Sequence, residues 1–426
     1  MKKFKLIFLT LSAIFFASLT AKAQWTNLWN NNIYGVCFAT SADTCYTTGG
    51  SGQIFRTSNG GLTWDTMQTV FYESFFNDIL FPSANIGYAC GGSAFGIHKC
   101  TIVKTTNAGQ TWDSVTSNTS EYEFNKIFFV NDTVGFFSGC DFLKTTDGCQ
   151  TFSTITHPFL GMINSIYFFN DSVGLIAINE YVNSTKTRYR IARTTDAGLN
   201  WTTNYLDSTN NSSTIWNSKS INDIDFINSS VGFAVRDNGM YLQSANGGIS
   251  WTPATLTNDS TNLKNIAMSK TSGVGYIACW KYTGTAYQSR IYKTIDFGFT
   301  WQTNFNTSFD GFYSISMATD DTVYAGGYGY IFKTTNGGAT SINENNFSKN
   351  DFIVYPNPFN GELTIQINST QVFQFTLYNS LGDKIIDKSL TKKNSTIDLS
   401  AYSNGIYFYK LTSDKQLIKS GKIIKQ

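Results

Sequence analysis

"TSNGGLTW", at residues 57–64, recurs six more times along the chain in slightly altered form. The later copies are "TTNAGQTW" (105–112), "TTDGCQTF" (145–152), "TTDAGLNW" (194–201), "SANGGISW" (244–251), "TIDFGFTW" (294–301) and "TTNGGATS" (334–341). Their starts are 40 to 50 residues apart, and a repeat of that length is typical of a solenoid or a propeller. The octet therefore predicts a chain built from seven similar units.

The octet has the composition of a tight hairpin closed by an aromatic ring. Asp or Asn at its third position can bond main-chain N–H groups in an Asx turn, and glycine at its fifth accepts a positive φ. The aromatic residue at its eighth position can lie over the hairpin and shield the backbone from water. We interpret the following residues as structural: Asn59, Asn107, Asp147, Asp196, Asn246, Asp296 and Asn336 in the turns, and Trp64, Trp112, Trp201, Trp251 and Trp301 as latches. The basic residues that precede six octets are interpreted as solvated strand ends: Arg56, Lys104, Lys144, Arg193, Lys293 and Lys333.

Short apolar stretches before each octet predict further strands. "NDILF", "IGY" and "IVK" precede the second octet in order, and no helical period separates them. The seventh octet ends in Ser341 instead of an aromatic residue, whereas Trp25-Thr26 resembles the "WT" that follows other octets. We therefore predict an all-β fold, a seven-bladed β-propeller of four-stranded blades closed by the N-terminal strand, followed by a small C-terminal β-sandwich.

These octets resemble Asp-box (BNR) repeats, and the whole units are similar to propellers of the photosystem II stability/assembly factor-like type. The resemblance covers residues 24–341 and implies that the boxes are structural and lie opposite the usual ligand face. It implies no single function, because the same box occurs in sialidases, some glucan hydrolases, sortilin-like receptors and scaffold proteins.

Both ends of the chain carry features of export. Lys2, Lys3 and Lys5, the apolar run "LIFLTLSAIFFASLT" and the small residues "AKA" indicate a signal peptide over residues 1–23. After a linker at 342–353, "VYPNPFNGELTIQI", "LYNSLGDKI" and "LSAYSNGIYFYKL" resemble the type A C-terminal sorting domain of type IX secretion over 354–426. That resemblance implies the type IX secretion machinery as a partner. It also implies that the protein is secreted or displayed on the outer-membrane surface of a Gram-negative bacterium.

Composition argues against several other classes of partner. Removing the positive charges of Lys2, Lys3 and Lys5 lowers the formal net charge from +2 to about −1, so no basic surface suits nucleic acid. No later apolar run is long enough for a transmembrane helix. His98 and His157 are the only histidines and no CxxC pair occurs, so we predict no metal and no other cofactor. We expect a monomer.

Seven cysteines in an exported chain make disulfides a possibility. Three pairs fall on neighbouring predicted strands and would leave Cys279 unpaired: Cys37 with Cys45, Cys90 with Cys100, and Cys140 with Cys149. The alternative is that several of them are small buried hydrophobic residues. Both interpretations stay open at this point.

The long loops indicate where a ligand would bind. The second-to-third strand connections at 90–100, 179–190 and 279–290 are long, as is the connection at 202–220 into the fifth blade. Both loop types emerge on the face opposite the Asp-box hairpins, and exposed aromatic rings suit stacking on sugars or anchoring a protein. The candidate binding residues are Phe95, His98, Tyr181, Tyr189, Trp216, Trp280, Tyr282 and Tyr287. The alternative is that these loops only tolerate insertion.

Residues suited to glycan hydrolysis are sparse. A sialidase-type site needs an arginine cluster, a Tyr–Glu pair and an acidic proton donor, and no Arg-Ile-Pro motif is present. We therefore predict no catalytic residues and a binding or interaction module for a glycan or protein ligand. An extracellular glycoside hydrolase with a noncanonical site on the loop face is the alternative. An assembly factor for other exported proteins is a third hypothesis.

Overall fold

The computed structural model describes residues 25–30, 33–69, 71, 74–93, 100–117, 123–139, 141–183, 186–210, 219–338, 352–367, 372–379, 383–391, 393–413 and 416–426. Within these ranges the chain forms 35 β-strands, and no helix there is long and apolar enough to cross a membrane. The predicted signal peptide lies outside the described residues, as does most of the predicted linker.

Six consecutive groups of four strands form six antiparallel sheets, which we number as blades 1 to 6. Blades 1 to 3 comprise β2 (Ile33–Ala39), β3 (Cys45–Gly49), β4 (Gln53–Thr57) and β5 (Asp65–Gln68); β6 (Ser74–Leu80), β7 (Gly87–Ser93), β8 (Thr101–Thr105) and β9 (Asp113–Ser117); and β10 (Lys126–Phe129), β11 (Gly135–Ser138), β12 (Phe142–Thr145) and β13 (Ser153–Thr154). Blades 4 to 6 comprise β14 (Gly161–Phe168), β15 (Gly174–Asn183), β16 (Lys186–Thr194) and β17 (Thr202–Asn210); β18 (Ile221–Phe226), β19 (Gly232–Arg236), β20 (Met240–Ser244) and β21 (Thr252–Thr255); and β22 (Asn262–Met268), β23 (Gly275–Tyr282), β24 (Tyr287–Thr294) and β25 (Gln302–Thr307).

Blade 7 joins the two ends of the propeller. It contains β26 (Phe312–Met317), β27 (Val323–Gly327) and β28 (Tyr330–Thr334), and its outermost strand is β1 (Thr26–Asn30) from the N-terminus. Trp25 precedes β1 as the other latches precede their strands, and it is only 5% exposed. Its indole Nε1 donates to Asn304 Oδ1 at 2.8 Å, and its ring stacks on Phe305 with centroids 5.8 Å apart. The prediction that the N-terminal strand closes the ring is confirmed.

The hydrophobic core of the propeller consists of seven clusters, one at each seam between adjacent blades. The recurring "VGF" and "VGY" motifs place a glycine under an aromatic ring of the preceding strand. A methyl group at Gly232 would lie 2.4 Å from the Phe226 ring, and one at Gly135 would lie 2.4 Å from the Phe129 ring. The glycine is therefore required for close approach of the two strands within a blade.

None of the three cysteine pairs that the sequence left possible forms in the structure. Cys37, Cys45, Cys90 and Cys149 are buried free thiols. Cys45 lies opposite Ala39, two residues out of register with Cys37, and Cys90 lies opposite Ile102, two residues out of register with Cys100. Cys37 and Cys45 nevertheless lie close enough for a hydrogen bond between their thiols.

The remaining cysteines are Cys100, Cys140 and Cys279. Cys279 is also a buried free thiol. Cys100 is in a disulfide bond. Cys140 lies outside the described residues. Burial raises the pKa of the Cys45 and Cys90 thiols, as expected for small hydrophobic residues within the seams.

The C-terminal part of the chain folds into two facing antiparallel sheets with their own core. The three-stranded sheet contains β29 (Phe352–Tyr355), β30 (Glu362–Ile367) and β33 (Asn394–Asp398). The four-stranded sheet contains β31 (Phe373–Tyr378), β32 (Lys384–Leu390), β34 (Gly405–Ser413) and β35 (Gln416–Lys425), in the order β32-β31-β34-β35. This is the small β-sandwich that the sequence predicts.

Candidate ligand-binding face

The Asp-box hairpins connect the third and fourth strands of the blades and share one hydrogen-bond pattern. In the first hairpin, Thr57 Oγ1 donates to Asn59 Oδ1 at 3.0 Å, Thr63 N donates to the same oxygen at 2.9 Å, and Gly61 N donates to Thr57 Oγ1 at 2.8 Å. The equivalent turn residues make the same bonds in the five hairpins that follow. These bonds satisfy main-chain N–H groups of the turn from within, which supports a structural role for the octets.

The latch residues act between blades rather than over a single hairpin. Each one packs into the cluster shared with the preceding blade: Trp64, Trp112, Phe152, Trp201, Trp251, Trp301 and, for blade 7, Trp25. The basic residues before the octets also bridge blades. Lys104 Nζ donates to Gly148 O at 2.6 Å and Lys293 Nζ to Gly337 O at 2.9 Å, so these strand ends are bonded rather than solvated. The Asp-box face is thus devoted mainly to joining blades.

The structure divides the eight predicted binding residues into four groups. Phe95, His98 and Trp216 lie outside the described residues. Tyr189 is 4% exposed because its ring packs into the seam between blades 4 and 5, so it cannot contact a ligand without a rearrangement of that core. Tyr181 stands on blade 4 and is 66% exposed.

Trp280, Tyr282 and Tyr287 come together on the hairpin that joins β23 and β24. The ring centroid of Tyr287 lies 5.6 Å from that of Trp280 and 5.0 Å from that of Tyr282. Tyr313, in the first strand of blade 7, extends the group, with its ring 6.3 Å from Trp280. Sequence reasoning missed Tyr313 because it lies in an inner strand rather than in a long loop. We call these four residues the blade-6 aromatic cluster.

Charged residues surround this cluster and are paired with one another. Lys264 Nζ lies 5.6 Å from the centre of the Trp280 ring and 2.8 Å from Asp237 Oδ1. Asp259 Oδ2 is 2.9 Å from Arg290 Nη1 and 3.3 Å from Lys281 Nζ. Burial acts to raise the pKa of Asp259, but hydrogen bonds from Thr261, Arg290, Thr257 and Lys281 outweigh it and hold the pKa at about 2. The carboxylate is therefore ionised and engaged, and serves to fix the two cations.

The Tyr313 hydroxyl is uncharged at neutral pH. Burial raises the pKa of Tyr313 to about 12, and the nearby Asp310 adds to this effect. Tyr287 and Tyr313 are 37% and 38% exposed, so each offers part of a ring as well as a hydroxyl group. A separate depression of about 390 Å³ is lined by Gln288, Arg290, Asn306, Thr307 and Ser308. Gln288 and Arg290 alternate with Tyr287 along β24 and therefore point to the opposite face of the sheet. The cluster itself combines aromatic surfaces with tyrosine hydroxyl groups.

A central channel of about 620 Å³ opens among the inner strands of the blades. Asn222 Nδ2 donates to Leu263 O of the next blade at 2.7 Å, and Asn77 and Asn164 make equivalent bonds. Asp78, Asp223 and Asp225 also line the channel, and burial raises the pKa of Asp78 and Asp223. Asp78 Oδ2 accepts from Ile127 N at 3.0 Å, and Asp223 Oδ2 accepts from Ile266 N at 3.1 Å. These side chains join the inner strands of neighbouring blades.

Four arginines near the loop face are bound to carboxylates instead of converging on one point. Arg188 and Arg190 pair with Glu180, Arg236 pairs with Asp207, and Arg290 pairs with Asp259. Arg236 is only 1% exposed and also donates to Tyr205 Oη at 2.6 Å. Among the described residues, no group of three or more His, Cys, Asp and Glu side chains could hold a metal ion.

The C-terminal segment matches a known family, and the propeller is similar to known structures. Residues 353–426 match the secretion system C-terminal sorting domain. No curated protein matches the chain in sequence. The structure titled "YCF48 bound to D1 peptide" is 15% identical with a TM-score of 0.53, and the match covers 73% of this chain and 97% of that one.

Two further structures extend the comparison. YCF48 from Cyanidioschyzon merolae is 14% identical with a TM-score of 0.52, covering 73% of this chain and 98% of that chain. The GH74 enzyme of Niastella koreensis is 12% identical with a TM-score of 0.58, covering 93% of this chain and 73% of that chain. At these identities the likeness establishes the propeller fold alone. The chain is thus a β-propeller followed by a sorting domain of type IX secretion, which directs its export.

Proposed function

We propose that the protein is an exported binding module, displayed at the outer surface of a Gram-negative cell, whose loop face binds a glycan through the blade-6 aromatic cluster. The observation that carries this proposal is the convergence of Trp280, Tyr282, Tyr287 and Tyr313 at one place on that face. Partly exposed rings that carry hydroxyl groups suit a sugar, which offers C–H surfaces for stacking and hydroxyl groups for hydrogen bonding.

Export agrees with such a ligand. The sorting domain directs the chain out of the cell, where glycans are abundant, and the propeller supplies a rigid frame for the cluster. Charges around the cluster are paired, so a neutral polar ligand meets no uncompensated charge there.

Binding is tested with purified protein on a glycan array, followed by calorimetric titration of the best ligand. Trp280→Ala combined with Tyr282→Ala should weaken binding by about 10- to 100-fold, because losing two stacked rings costs roughly 1.5–3 kcal/mol. Tyr355→Ala is the matched control, since it removes a 41% exposed tyrosine from the sorting domain. Equal affinity of the double variant and the control would refute the assignment of the site.

A glycoside hydrolase is the second candidate, favoured by one observation. Asp78 and Asp223 line the same channel, and burial raises the pKa of both, as in a catalytic acid. Against it, both carboxylates accept main-chain N–H bonds from the next blade, which explains their burial structurally. Hydrolysis of polysaccharide that is abolished in Asp78→Asn or Asp223→Asn, with folding retained, would favour the enzyme over the binding module.

A further inference from the structure

The sixth Asp-box hairpin differs from the other six in sequence. It has phenylalanine at the fourth and sixth positions, Phe297 and Phe299. The other hairpins have glycine or alanine at the fourth position and a nonaromatic residue at the sixth. Phe297 has a φ of 61°, in the left-handed region that a bulky side chain rarely adopts. The turn geometry alone does not account for this residue.

The C-terminal sandwich has a matching irregularity on β34. Tyr407 and Tyr409 point into the core of the sandwich, so Phe408 and Lys410 lie on the outer face of its sheet. An outer face should be polar, yet Phe408 is 1% exposed and belongs to the cluster of blades 5 and 6. Tyr378 lies directly opposite Phe408 on β31.

These two irregular surfaces contact each other. The Phe408 ring lies 4.7 Å from that of Phe297, and Tyr378 stacks on Phe299 with centroids 4.8 Å apart. Lys410 Nζ is 3.5 Å from Asp296 Oδ2. Asp296, the turn residue of this octet, is 3% exposed and so lies beneath the contact.

The corresponding tips of other hairpins are uncovered. Leu62, Leu199 and Ile249 occupy the position of Phe299 in blades 1, 4 and 5, and they are 84%, 81% and 57% exposed. Phe299 is only partly exposed because the sandwich covers it. The contact is thus specific to blade 6 and does not follow from the repeat.

We infer that the Asp-box hairpin of blade 6 is a docking site for the chain's own C-terminal sorting domain. The partner surface is the outer face of β31 and β34. Its Tyr378 and Phe408 rings meet the rings of the hairpin, and its Lys410 meets the Asp296 carboxylate. Because the left-handed turn that places Phe297 exists only in the folded hairpin, the sorting domain is seated only on a folded blade 6. This role goes beyond ligand binding and lies on the other face of the propeller.

Hydroxyl-radical footprinting of the full chain, read by mass spectrometry, tests the docking site. In the wild type, Phe408 should be as protected as the sandwich-core residue Phe375 and at least fivefold less reactive than the exposed Tyr355. In the double variant Phe297→Gly, Phe299→Gln, Phe408 should become at least fivefold more reactive while Phe375 stays protected. The two replacements restore residues found in other octets, so the hairpin retains a sequence compatible with its turn.

Leu199→Gln, at the tip of blade 4, is the matched control and should leave the reactivity of Phe408 unchanged. Lys410→Glu places a second negative charge beside Asp296 and should expose Phe408 without altering the hairpin. Either of two results would overturn the inference. In the first, Phe408 is as reactive as Tyr355 in the wild type. In the second, Phe408 is equally protected in the wild type, the double variant and Lys410→Glu.

Discussion

Replacing Trp25 by alanine tests how the ring is closed. Its side chain is 5% exposed and packs with the cluster between blades 6 and 7, so the substitution leaves a cavity the size of an indole. A buried Trp-to-Ala change costs about 3–5 kcal/mol. Loss of the 2.8 Å hydrogen bond to Asn304 adds about 1 kcal/mol.

This loss should be visible in thermal unfolding. For a chain of this size each kcal/mol lowers the Tm by roughly 2 °C, so Trp25→Ala should lower it by about 8–12 °C. Differential scanning calorimetry of the full chain measures the change. The released β28 is an unpaired edge strand, so the variant should also aggregate more readily on heating.

Two controls separate closure from general loss of packing. Tyr355→Ala, which removes an exposed ring from the sorting domain, should leave the Tm within about 1 °C of the wild type. Asn304→Ala removes the bond from Trp25 together with the bonds from Asn304 Nδ2 to Gly337 O and Gly338 O, so it should lower the Tm without opening an indole-sized cavity. A Trp25→Ala protein whose Tm equals that of the Tyr355→Ala control would refute the reasoning.

Three further predictions concern the blades. Gly232→Ala should lower the free energy of unfolding by about 1–3 kcal/mol in a denaturant titration because its methyl group overlaps the Phe226 ring, and Phe226→Leu should recover part of the loss. Lys333→Met should cost about 1–3 kcal/mol because it removes the bond to Gly60 O and one of the two bonds to Ala42 O, which still accepts from Tyr324 Oη. This cost should exceed that of Lys144→Met, whose amine has one exposed bond. Asp259 has a depressed pKa of about 2, so its contribution to stability is present above about pH 4 and is lost as the pH falls towards 2. The denaturant midpoint of Asp259→Asn should therefore fall less than that of the wild type between about pH 4 and about pH 2.

The fold was predictable because its signals are local and repeated. Each octet specifies its own turn, because the side-chain oxygen of its Asn or Asp accepts a hydrogen bond from the main-chain N–H four residues later. The closing strand was predictable because Ser341 lacks the ring that Trp25 supplies. Sevenfold recurrence turns such weak local signals into one consistent prediction.

The site and the cysteines were less predictable because they depend on register and on contacts between blades. Tyr181 and Tyr189 both belong to the stretch 179–190, which the sequence predicts as one long loop. In the structure they lie on β15 and β16, where Tyr189 is buried between two blades and Tyr181 is exposed. Tyr313 joins Trp280 only because blade 7 packs beside blade 6. Likewise, an offset of two residues separates Cys37 from Cys45, and no spacing along the sequence reveals that offset.

The two ends of blade 6 carry different tasks, which makes them separable by experiment. Gly275 lies opposite Thr294 at the Asp-box end of β23, and Tyr282 lies opposite Tyr287 at the other end. Seven residues of strand separate the ends, a distance of roughly 23 Å. Docking of the sorting domain and binding at the aromatic cluster should therefore be independent. Phe297→Gly with Phe299→Gln should leave glycan affinity unchanged in a calorimetric titration, and a change of more than threefold would show that the two ends of the blade are coupled.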